Sequence, residues 1–274
     1  MKRIFTFWEP REALPGYIRL CMQTWEKYLP DYEIITLDYS NLHQYLSEED
    51  IREILCKDMS LPMQSDCLRC ALLYRHGGIW MDADTIITSS TILREAEQGQ
   101  CCMIQDEDER TDCKIYGAFI YAREPQATFL KLWRKELPAR VQHFRRLYPW
   151  KKFRFLFRKK WKEIRYWGYC VNSIIEPLAR TMNPEQLCLL SKNKLCALPE
   201  YDSPLFTEQG MVERKLYEEF YFHPEKAEAI LQQTRGIILL HNSWTPRHYR
   251  EMSAEEFLKQ DILLADLLRK VLQA

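Results

Sequence analysis

The stretch Met63–Thr88, which reads MQSDCLRCALLYRHGGIWMDADTIIT, decides the fold and contains a candidate site. Its apolar run Ile79–Met81 predicts a short buried strand, and two aspartates, Asp82 and Asp84, follow that strand one residue apart. A carboxylate at the end of an apolar strand is costly to desolvate unless it has a partner. The pair therefore indicates binding or chemistry, unless both side chains simply face water.

The residues before this strand predict a helix with a second pair of charges. Ser65 can cap the helix, which then runs to about Arg75 and is stopped by Gly77-Gly78. Asp66 and Arg69 are three residues apart, so both side chains share one helical face. A carboxylate beside a forked guanidinium suits vicinal sugar hydroxyls, or forms a structural ion pair when nothing is bound.

The flanking sequence predicts an α/β fold. Arg3–Trp8 and Tyr32–Leu37 have the composition of strands, and Pro15–Tyr28 between them has apolar residues at helical spacing. Such a unit begins a mostly parallel sheet flanked by helices, in which ligands bind at the carboxyl ends of the strands. The other predicted strands are Cys101–Gln105, Ile115–Ala122, Leu187–Leu190 and Gly236–His241, and the other predicted helices are Pro125–Leu137, Val171–Thr181 and Ala254–Leu272. With no repeat or linker in the sequence, we expect one domain over residues 1–274.

Composition limits the compartment and the partners. The 39 basic and 39 acidic residues cancel, so net charge gives no argument for a polyanionic partner. The N-terminus lacks the long apolar core of a signal peptide, and no uncharged run reaches the length of a membrane span, so we expect a cytoplasmic protein. The ten cysteines are then expected as reduced thiols in the core, including the lone pair Cys67 and Cys70.

The residues alone leave the chemistry of the aspartates open. Two carboxylates at i and i+2 can hold Mg²⁺ or Mn²⁺ against a diphosphate and so neutralise a departing nucleotide. The run Asp82–Thr85 also matches the DxDxT motif of haloacid dehalogenase-type phosphatases, with Asp82 as nucleophile and Asp84 as acid and base. The sequence shows no convincing second acidic metal cluster downstream, as that family requires, so the phosphatase is a minority hypothesis.

A longer motif favours the metal-binding alternative. The segment SDCLRCALLYRHGGIWMDAD, Ser65–Asp84, resembles the signature of family 32 glycosyltransferases and of the related capsular polysaccharide synthesis proteins, and is similar to that of the glucosyltransferase domain of large clostridial-type toxins. The first strand, IFTFWEP, and the later run LLHNSWTP also resemble the corresponding parts of those enzymes. The resemblance implies a GT-A type fold and a retaining, metal-dependent hexosyltransferase with Mn²⁺ or Mg²⁺.

The resemblance also implies roles for residues near the aspartates. Trp8 would stack on the base of a nucleotide sugar, with UDP or GDP as the nucleotide, and Asp66 and Arg69 would grip hydroxyls of the donor sugar. Asp82 would contact ribose and sugar and contribute to the metal site, and Asp84 would be the principal metal ligand. Trp8 has a structural alternative as a core aromatic side chain.

Three residues of the later run have roles implied in the same way. His241 would complete the metal shell, and Ser243 with Trp244 would hold the diphosphate. A single histidine at a strand end is more often hydrogen-bonded than ligating, and Trp244 also suits a core position.

A basic aromatic segment lies in the middle of the chain, within residues 140–167. Ten lysines and arginines between Phe144 and Trp167 alternate with aromatic residues at helical spacing, against one glutamate. This pattern favours a helix on an anionic membrane surface, which would place the protein on the inner face of the cell membrane beside a lipid-linked glycan acceptor. Packing on the domain is the second hypothesis. Nucleic-acid binding is a distant third, and no nucleic acid is expected as a partner.

Overall fold

The computed structural model describes residues 2–105, 115–153, 159–160, 168–192, 223–240 and 242–274. A six-stranded sheet lies at the centre, and a two-stranded ribbon lies beside it. The strands in chain order are β1 Lys2–Phe7, β2 Tyr32–Leu37, β3 Gly78–Met81, β4 Thr85–Ile87, β5 Cys101–Gln105, β6 Ile115–Ala122, β7 Leu187–Ser191 and β8 Ile237–Leu239. The predicted bounds of β2, β5 and β6 are confirmed, and β4 was not predicted.

The central sheet has the order β2-β1-β3-β6-β5-β7. Strand β1 pairs in parallel with β2 and β3, and β5 pairs in parallel with β7, whereas β6 is antiparallel to both of its neighbours. The chain leaves β1 for β2 on one side and then crosses to β3 on the other. The carboxyl ends of β1 and β3 therefore flank a topological switch point, where open α/β sheets bind their ligands.

Helices cover both faces of this sheet. In chain order they are α1 Gly16–Tyr28, α2 Glu48–Ile54, α3 Leu61–His76, α4 Thr91–Ala96, α5 Thr128–Leu147, α6 Asn172–Ala179, α7 Ala227–Gln233, α8 Arg247–Arg250, α9 Ala254–Leu258 and α10 Leu263–Gln273. Together with the strand pairing, this arrangement confirms the predicted class, an α/β fold with a mostly parallel central sheet flanked by helices.

The pleat of the strands divides the core. Trp80 of β3 is fully buried on the face covered by α3 and α5, and its neighbour Ile79 is fully buried on the opposite face with Trp25 of α1. Burial of each such large apolar side chain contributes about 1.5–3 kcal/mol. The β3 strand is thus fixed from both sides, and the residues that follow it are held in place.

The start of α3 differs from the prediction. The helix begins at Leu61, with Ser60 before it and Pro62 in its first turn, so Ser65 lies inside the helix and does not cap it. Proline suits the first turn because its missing N–H has no intrahelical partner there. The predicted end is confirmed, since Gly77 ends the helix with φ of 64°, a conformation that favours glycine.

Helix α5 is longer than predicted. The sequence predicted an end at Leu137, before Pro138, but the helix continues through the proline to Leu147. Val141 and Phe144 continue the buried face of the helix, and this burial offsets the hydrogen bond that the proline removes. Residues 140–147 of the basic aromatic segment therefore belong to this helix. Residues 154–158 and 161–167 lie outside the described residues, and both the membrane and the packing hypotheses stay predictions.

The predicted final helix is two helices. A break between α9 and α10 is stabilised by Arg269, whose guanidinium donates hydrogen bonds to the carbonyls of Leu258 and Gln260, the latter at 3.1 Å. The Leu258 carbonyl is the last of α9, where carbonyls lack intrahelical partners, and the Gln260 carbonyl lies in the link to α10. The continuous apolar pattern concealed this break because Phe257 of α9 and the buried residues of α10 belong to one apolar cluster.

The described residues bear on two expectations, which concern the cysteines and membrane-spanning helices. All eight described cysteines are free thiols and seven are buried, among them Cys67 and Cys70 within α3, as expected. No helix in the described part of the chain is long and apolar enough to cross a membrane.

Candidate active site

A pocket of about 330 Å³ opens at the switch point between β1 and β3. Its walls come from the end of β1, the first turns of α3, the residues after β3 and the turn after β8. The lining residues are Phe7, Trp8, Glu9, Leu61, Pro62, Ser65, Arg69, Asp82, Ala83, Asp84 and Asn242. The pocket thus joins segments that are far apart in sequence, including the two aspartates.

Arg69 links the α3 charges to the strand end. Its Nη2 lies 3.0 Å from Asp66 Oδ1 and 3.1 Å from Asp82 Oδ1, and Asp66 and Arg69 are each only about 5% exposed. Buried ion pairs hold their geometry because either partner left alone would be strongly destabilised. Arg69 therefore fixes Asp82 relative to Asp66 across two elements.

The guanidinium of Arg69 lies in a narrow slot. The carbon at its centre is 5.2 Å from the ring centroid of Trp80, and on the backbone of β6 a Cβ at Gly117 would lie 2.3 Å from Arg69 Nη1. Its buried Nε makes no hydrogen bond to any described residue. Trp80 also donates from Nε1 to Asp82 Oδ1 at 2.8 Å. Trp80 and Gly117 thus shape the site without lining the pocket.

Asp84 is held from the other side of the pocket. Strand β4 pairs antiparallel with β8, so the turn Asn242–Trp244 after β8 returns to the end of β3. There the backbone N–H of Asn242 donates to Asp84 Oδ2 at 2.8 Å, and the Tyr17 hydroxyl of α1 donates to Asn242 Oδ1. A chain of hydrogen bonds therefore connects α1 to Asp84.

Two carboxyl groups of the site have raised pKa values. Burial, and after it the charge of Asp82, raises the pKa of Asp84 to about 7. Burial also raises the pKa of Asp66 to about 7, against the opposing charge of Arg69. Carboxyl pKa values near neutrality are typical of functional sites, because structural surface carboxylates rarely reach them.

The donor atoms at this end of the pocket suit a hard divalent cation. Mg²⁺ and Mn²⁺ prefer carboxylate oxygens, and Asp82 Oδ2 makes no hydrogen bond to any described residue. A cation bound to both aspartates would also relieve the repulsion that raises the pKa of Asp84. In the described part of the chain there is no group of three or more His, Cys, Asp and Glu residues that could hold a metal ion.

Another part of the pocket lining is mostly apolar. Phe7 and Trp8 come from the end of β1, and Leu61 and Pro62 from the start of α3. Glu9 is the acidic residue at this end, and its Oε2 accepts a hydrogen bond from the backbone N–H of Tyr39 at 2.8 Å. We call the part of the lining with Phe7, Trp8, Leu61 and Pro62 the apolar end of the pocket, and the part with Arg69, Asp82 and Asp84 the charged end.

The structure brings most of the predicted site residues together. Trp8, Arg69, Asp82 and Asp84 line one pocket, and Asp66 joins them through Arg69. The other three predicted residues, Ser243, His241 and Trp244, are not among the described lining residues. Ser243 is exposed in the turn after β8, and His241 and the Trp244 side chain lie outside the described residues.

Three residues of the site were missed. Asn242 stands between the predicted His241 and Ser243, and only the antiparallel pairing of β4 and β8 indicates that its backbone reaches Asp84. Gly117 could have been noticed as a glycine within a strand, which often marks a close approach of another group. Glu9 follows the predicted Trp8 directly, but a single charged residue after a strand carries no signal of its own.

A family comparison identifies the chain. The profile of the family described as "Capsular polysaccharide synthesis protein" matches residues 1–167, which include β1, α3 and both aspartates. The chain belongs to this family. The capsular half of the sequence resemblance is thereby confirmed, and the similarity to family 32 enzymes and toxins stays a prediction. No curated protein matches the chain.

Solved structures with a similar fold have low sequence identity to this chain. A glycosyltransferase involved in the glycosylation of the major capsid of PBCV-1 is 14% identical with a TM-score of 0.42, and the match covers 91% of this chain and 98% of that one. The glycosyltransferase GlyE of Streptococcus pneumoniae TIGR4 is 12% identical with a TM-score of 0.46, covering 99% of this chain and 63% of that one. The galactosyltransferase LgtC, solved with donor and acceptor sugar analogs, is 12% identical with a TM-score of 0.41, covering 96% and 95%. Likenesses of this size carry no argument about the activity of this chain.

Proposed function

We propose that this protein is a metal-dependent glycosyltransferase, which moves a sugar from a nucleotide diphosphate to a glycan acceptor in capsular or surface polysaccharide synthesis. The observation that carries the proposal is the pocket in which Asp82, Asp84, Arg69 and Trp8 meet at the switch point of the sheet. Residues 1–274 would then form one GT-A type domain. The family membership supports the pathway, and the donor, the acceptor and the anomeric outcome belong to the proposal.

The two ends of the pocket suit the two ends of a nucleotide sugar. The apolar end, with Trp8, offers a surface on which a base can stack. At the charged end, Asp82 would accept a hydrogen bond from a sugar hydroxyl, and the buried Asp66 would act on the donor sugar through Arg69. A donor that spans the pocket would therefore present its diphosphate between Trp8 and the aspartates.

The residues of the charged end would act on the departing diphosphate. A divalent cation held by Asp82 and Asp84, with His241 as a further proposed ligand, would supply neutralisation of the negative charge that develops there. Arg69 supplies a fixed positive charge at the same wall, and its ion pairs with Asp66 and Asp82 prevent it from moving as the charge develops. Ser243 and Trp244 are proposed to hold the diphosphate from the turn after β8.

We also propose retention of the anomeric configuration and a hexosyl donor, on the resemblance of Ser65–Asp84 to the family 32 signature. The transition state would then resemble an oxocarbenium ion, so stabilisation of the leaving group carries much of the rate. No side chain is assigned as nucleophile.

The acceptor side of the proposal concerns the basic aromatic segment. Trp150 is 55% exposed, and Lys159 and Lys160 are exposed residues of the same segment. Exposed aromatic and basic side chains suit an anionic membrane surface with a lipid-linked glycan. We expect the protein to sediment with anionic vesicles more than with neutral ones, and the double change Lys159→Glu and Lys160→Glu to reduce this difference. Equal sedimentation with both kinds of vesicle would contradict the membrane proposal.

The first experiment measures thermal stability with UDP- and GDP-sugars, with and without Mn²⁺. A ligand that binds the native state raises its melting temperature, and we expect a shift that requires both metal and one class of nucleotide. Asp84→Asn should abolish the shift. Asp261→Asn is the matched control, since Asp261 is an exposed carboxylate far from the pocket in sequence and is not among its lining residues.

The same variants separate the proposal from a phosphatase. A DxDxT-type enzyme would release phosphate from simple phosphomonoesters, and Asp82→Asn would abolish this release by removing the nucleophile. Phosphate release without any nucleotide-dependent stabilisation would therefore replace the transferase by the phosphatase. Absence of both would leave a binding protein without catalysis.

A further inference from the structure

The apolar end of the pocket contains a carboxylate without a cation. Glu9 lines this end with Phe7, Trp8, Leu61 and Pro62, and it forms no ion pair with any residue in the described part of the chain. An ionised carboxylate against apolar walls is unfavourable unless N–H or O–H donors meet it. Glu9 is partly exposed and has one such donor, the N–H of Tyr39, so a ligand in the pocket would bring the donors for its other oxygen.

The backbone holds the Glu9 carboxylate in a fixed direction. Its Oε2 accepts from the N–H of Tyr39 at 2.8 Å, and the preceding residue is also tied to β2, because the N–H of Trp8 donates to the carbonyl of Leu37 at 2.9 Å. The Tyr39 ring is fixed in turn by its hydroxyl, which donates to Gln64 Oε1 at 2.6 Å. The other carboxylate oxygen, Oε1, makes no hydrogen bond to any described residue, so it is available to a ligand.

We propose that Glu9 selects guanine as the base of the nucleotide sugar. The proposal rests on the proposed function, since it assumes that a base occupies the apolar end beside Trp8. Guanine presents two adjacent donors, N1–H and the N2 amino group, which match the two acceptor oxygens of a carboxylate. Uracil presents a single N3–H between two carbonyl oxygens, and adenine presents an amino group beside the acceptor N1. Uracil and adenine therefore each place an acceptor opposite one oxygen of Glu9, where no hydrogen bond can form.

The change Glu9→Gln tests whether this side chain selects the base. The amide keeps an oxygen that can accept from Tyr39 N–H, but it replaces one acceptor toward the base by an N–H donor. A side-chain amide matches the N3–H and O4 edge of uracil, whereas it opposes one of the two guanine donors. We therefore expect the variant to lose affinity for the guanine nucleotide and to keep or gain affinity for the uracil nucleotide.

The experiment titrates GDP, IDP, UDP and ADP into the full chain by calorimetry with Mn²⁺ present. In the wild type we expect GDP to bind at least about fivefold tighter than UDP and ADP, the discrimination of one bidentate pair. IDP lacks the N2 amino group and keeps N1–H, so it should bind more weakly than GDP without any mutation. In Glu9→Gln the ratio of UDP to GDP affinity should rise by a similar factor, while Glu12→Gln, an exposed neighbour, should change nothing.

Three outcomes overturn the proposal. Equal wild-type affinities for GDP and UDP, or for GDP and IDP, would mean that Glu9 does not recognise the base, although the proposed function would stand. An equal loss of all four nucleotides in Glu9→Gln would mean that the residue acts only through the backbone at Tyr39. Absence of binding by every nucleotide would remove the proposed function and the inference with it.

Discussion

Trp80 donates a hydrogen bond from its indole Nε1 to Oδ1 of Asp82 at 2.8 Å, two residues further along the chain. The same oxygen lies 3.1 Å from Nη2 of Arg69, whose guanidinium packs over the Trp80 ring. One fully buried aromatic side chain therefore orients both a carboxylate and a cation of the proposed donor site.

The change Trp80→Phe removes this hydrogen bond and leaves most of the ring. Loss of a hydrogen bond to a charged acceptor costs about 1.5–3 kcal/mol, so we expect metal-dependent nucleotide affinity to fall on the order of tenfold or more. Trp133→Phe is the matched control, because Trp133 is also fully buried and donates from Nε1 at 3.1 Å, but to the carbonyl of Cys170. Both variants should unfold more easily, as followed by urea denaturation. Equal nucleotide affinities in the two would contradict the role of Trp80.

The change Gly117→Ala places a methyl group 2.3 Å from Nη1 of Arg69, a distance at which one of them must move. The guanidinium should leave its ion pairs with Asp66 and Asp82, and a misplacement of this kind can lower kcat/KM on the order of 100-fold. The control is the same change in an Arg69→Ala background. There it should add little, since the group with which it clashes is gone. Full additivity of the two changes would show that Gly117 acts by another route.

The change Tyr17→Phe removes the hydroxyl that donates to Asn242 Oδ1. The turn after β8 should then hold its backbone N–H less firmly against Asp84, and we expect a several-fold loss of metal affinity with a stability loss of about 0.5–1.5 kcal/mol. Tyr28→Phe on the same helix is the control, because its hydroxyl bonds to the carbonyl of Val271 at 3.1 Å. Metal titration followed by thermal shift measures both variants. A metal affinity that falls equally in the two would contradict the connection from α1 to Asp84.

The raised pKa of Asp84 predicts opposite effects of pH on stability and on metal binding. Between the unfolded carboxyl pKa of 3.8 and the folded pKa of about 7, the native state binds more protons than the unfolded state, so the metal-free protein should lose stability as pH rises through this range. Asp66 acts in the same direction. Metal binding needs the ionised carboxylate and should strengthen as pH rises through 7.

Urea denaturation of the metal-free protein at several pH values between 4 and 8 measures this effect. Asp84→Asn should flatten the loss of stability with pH, because the amide does not titrate. Asp261→Asn should leave the slope unchanged. A change of stability with pH that is the same in Asp84→Asn as in the wild type would contradict the raised pKa of Asp84.

Much of the site could be predicted because its signals are local. The β1, α1 and β2 bounds follow from apolar spacing within short windows, and Gly77 ends α3 as its conformation requires. The spacing of Asp66 and Arg69 on one helix placed their side chains together, as observed at 3.0 Å. Such contacts lie within one or two turns, where the period of the backbone fixes which residues meet.

Other features had no local signal. The predicted end of α5 was wrong because the buried face of the helix continues past Pro138. The predicted single final helix was wrong because Arg269 of α10 stabilises a break after Leu258. In both cases the deciding energy comes from burial and hydrogen bonds to residues outside the window. Local propensity alone therefore gave the incorrect boundary.

By itself the sequence determined the α/β class and the pair of aspartates at a strand end, since periodicity and turn residues act between neighbours along the chain. Only the tertiary structure decided that Arg69 bridges to Asp82, that Asn242 returns to Asp84 and that Gly117 leaves room for a guanidinium. Those contacts join β3 to α3, to β6 and to the turn after β8. They form because hydrogen bonds and packing across strands depend on which elements become neighbours, and no stretch of neighbouring residues carries that information.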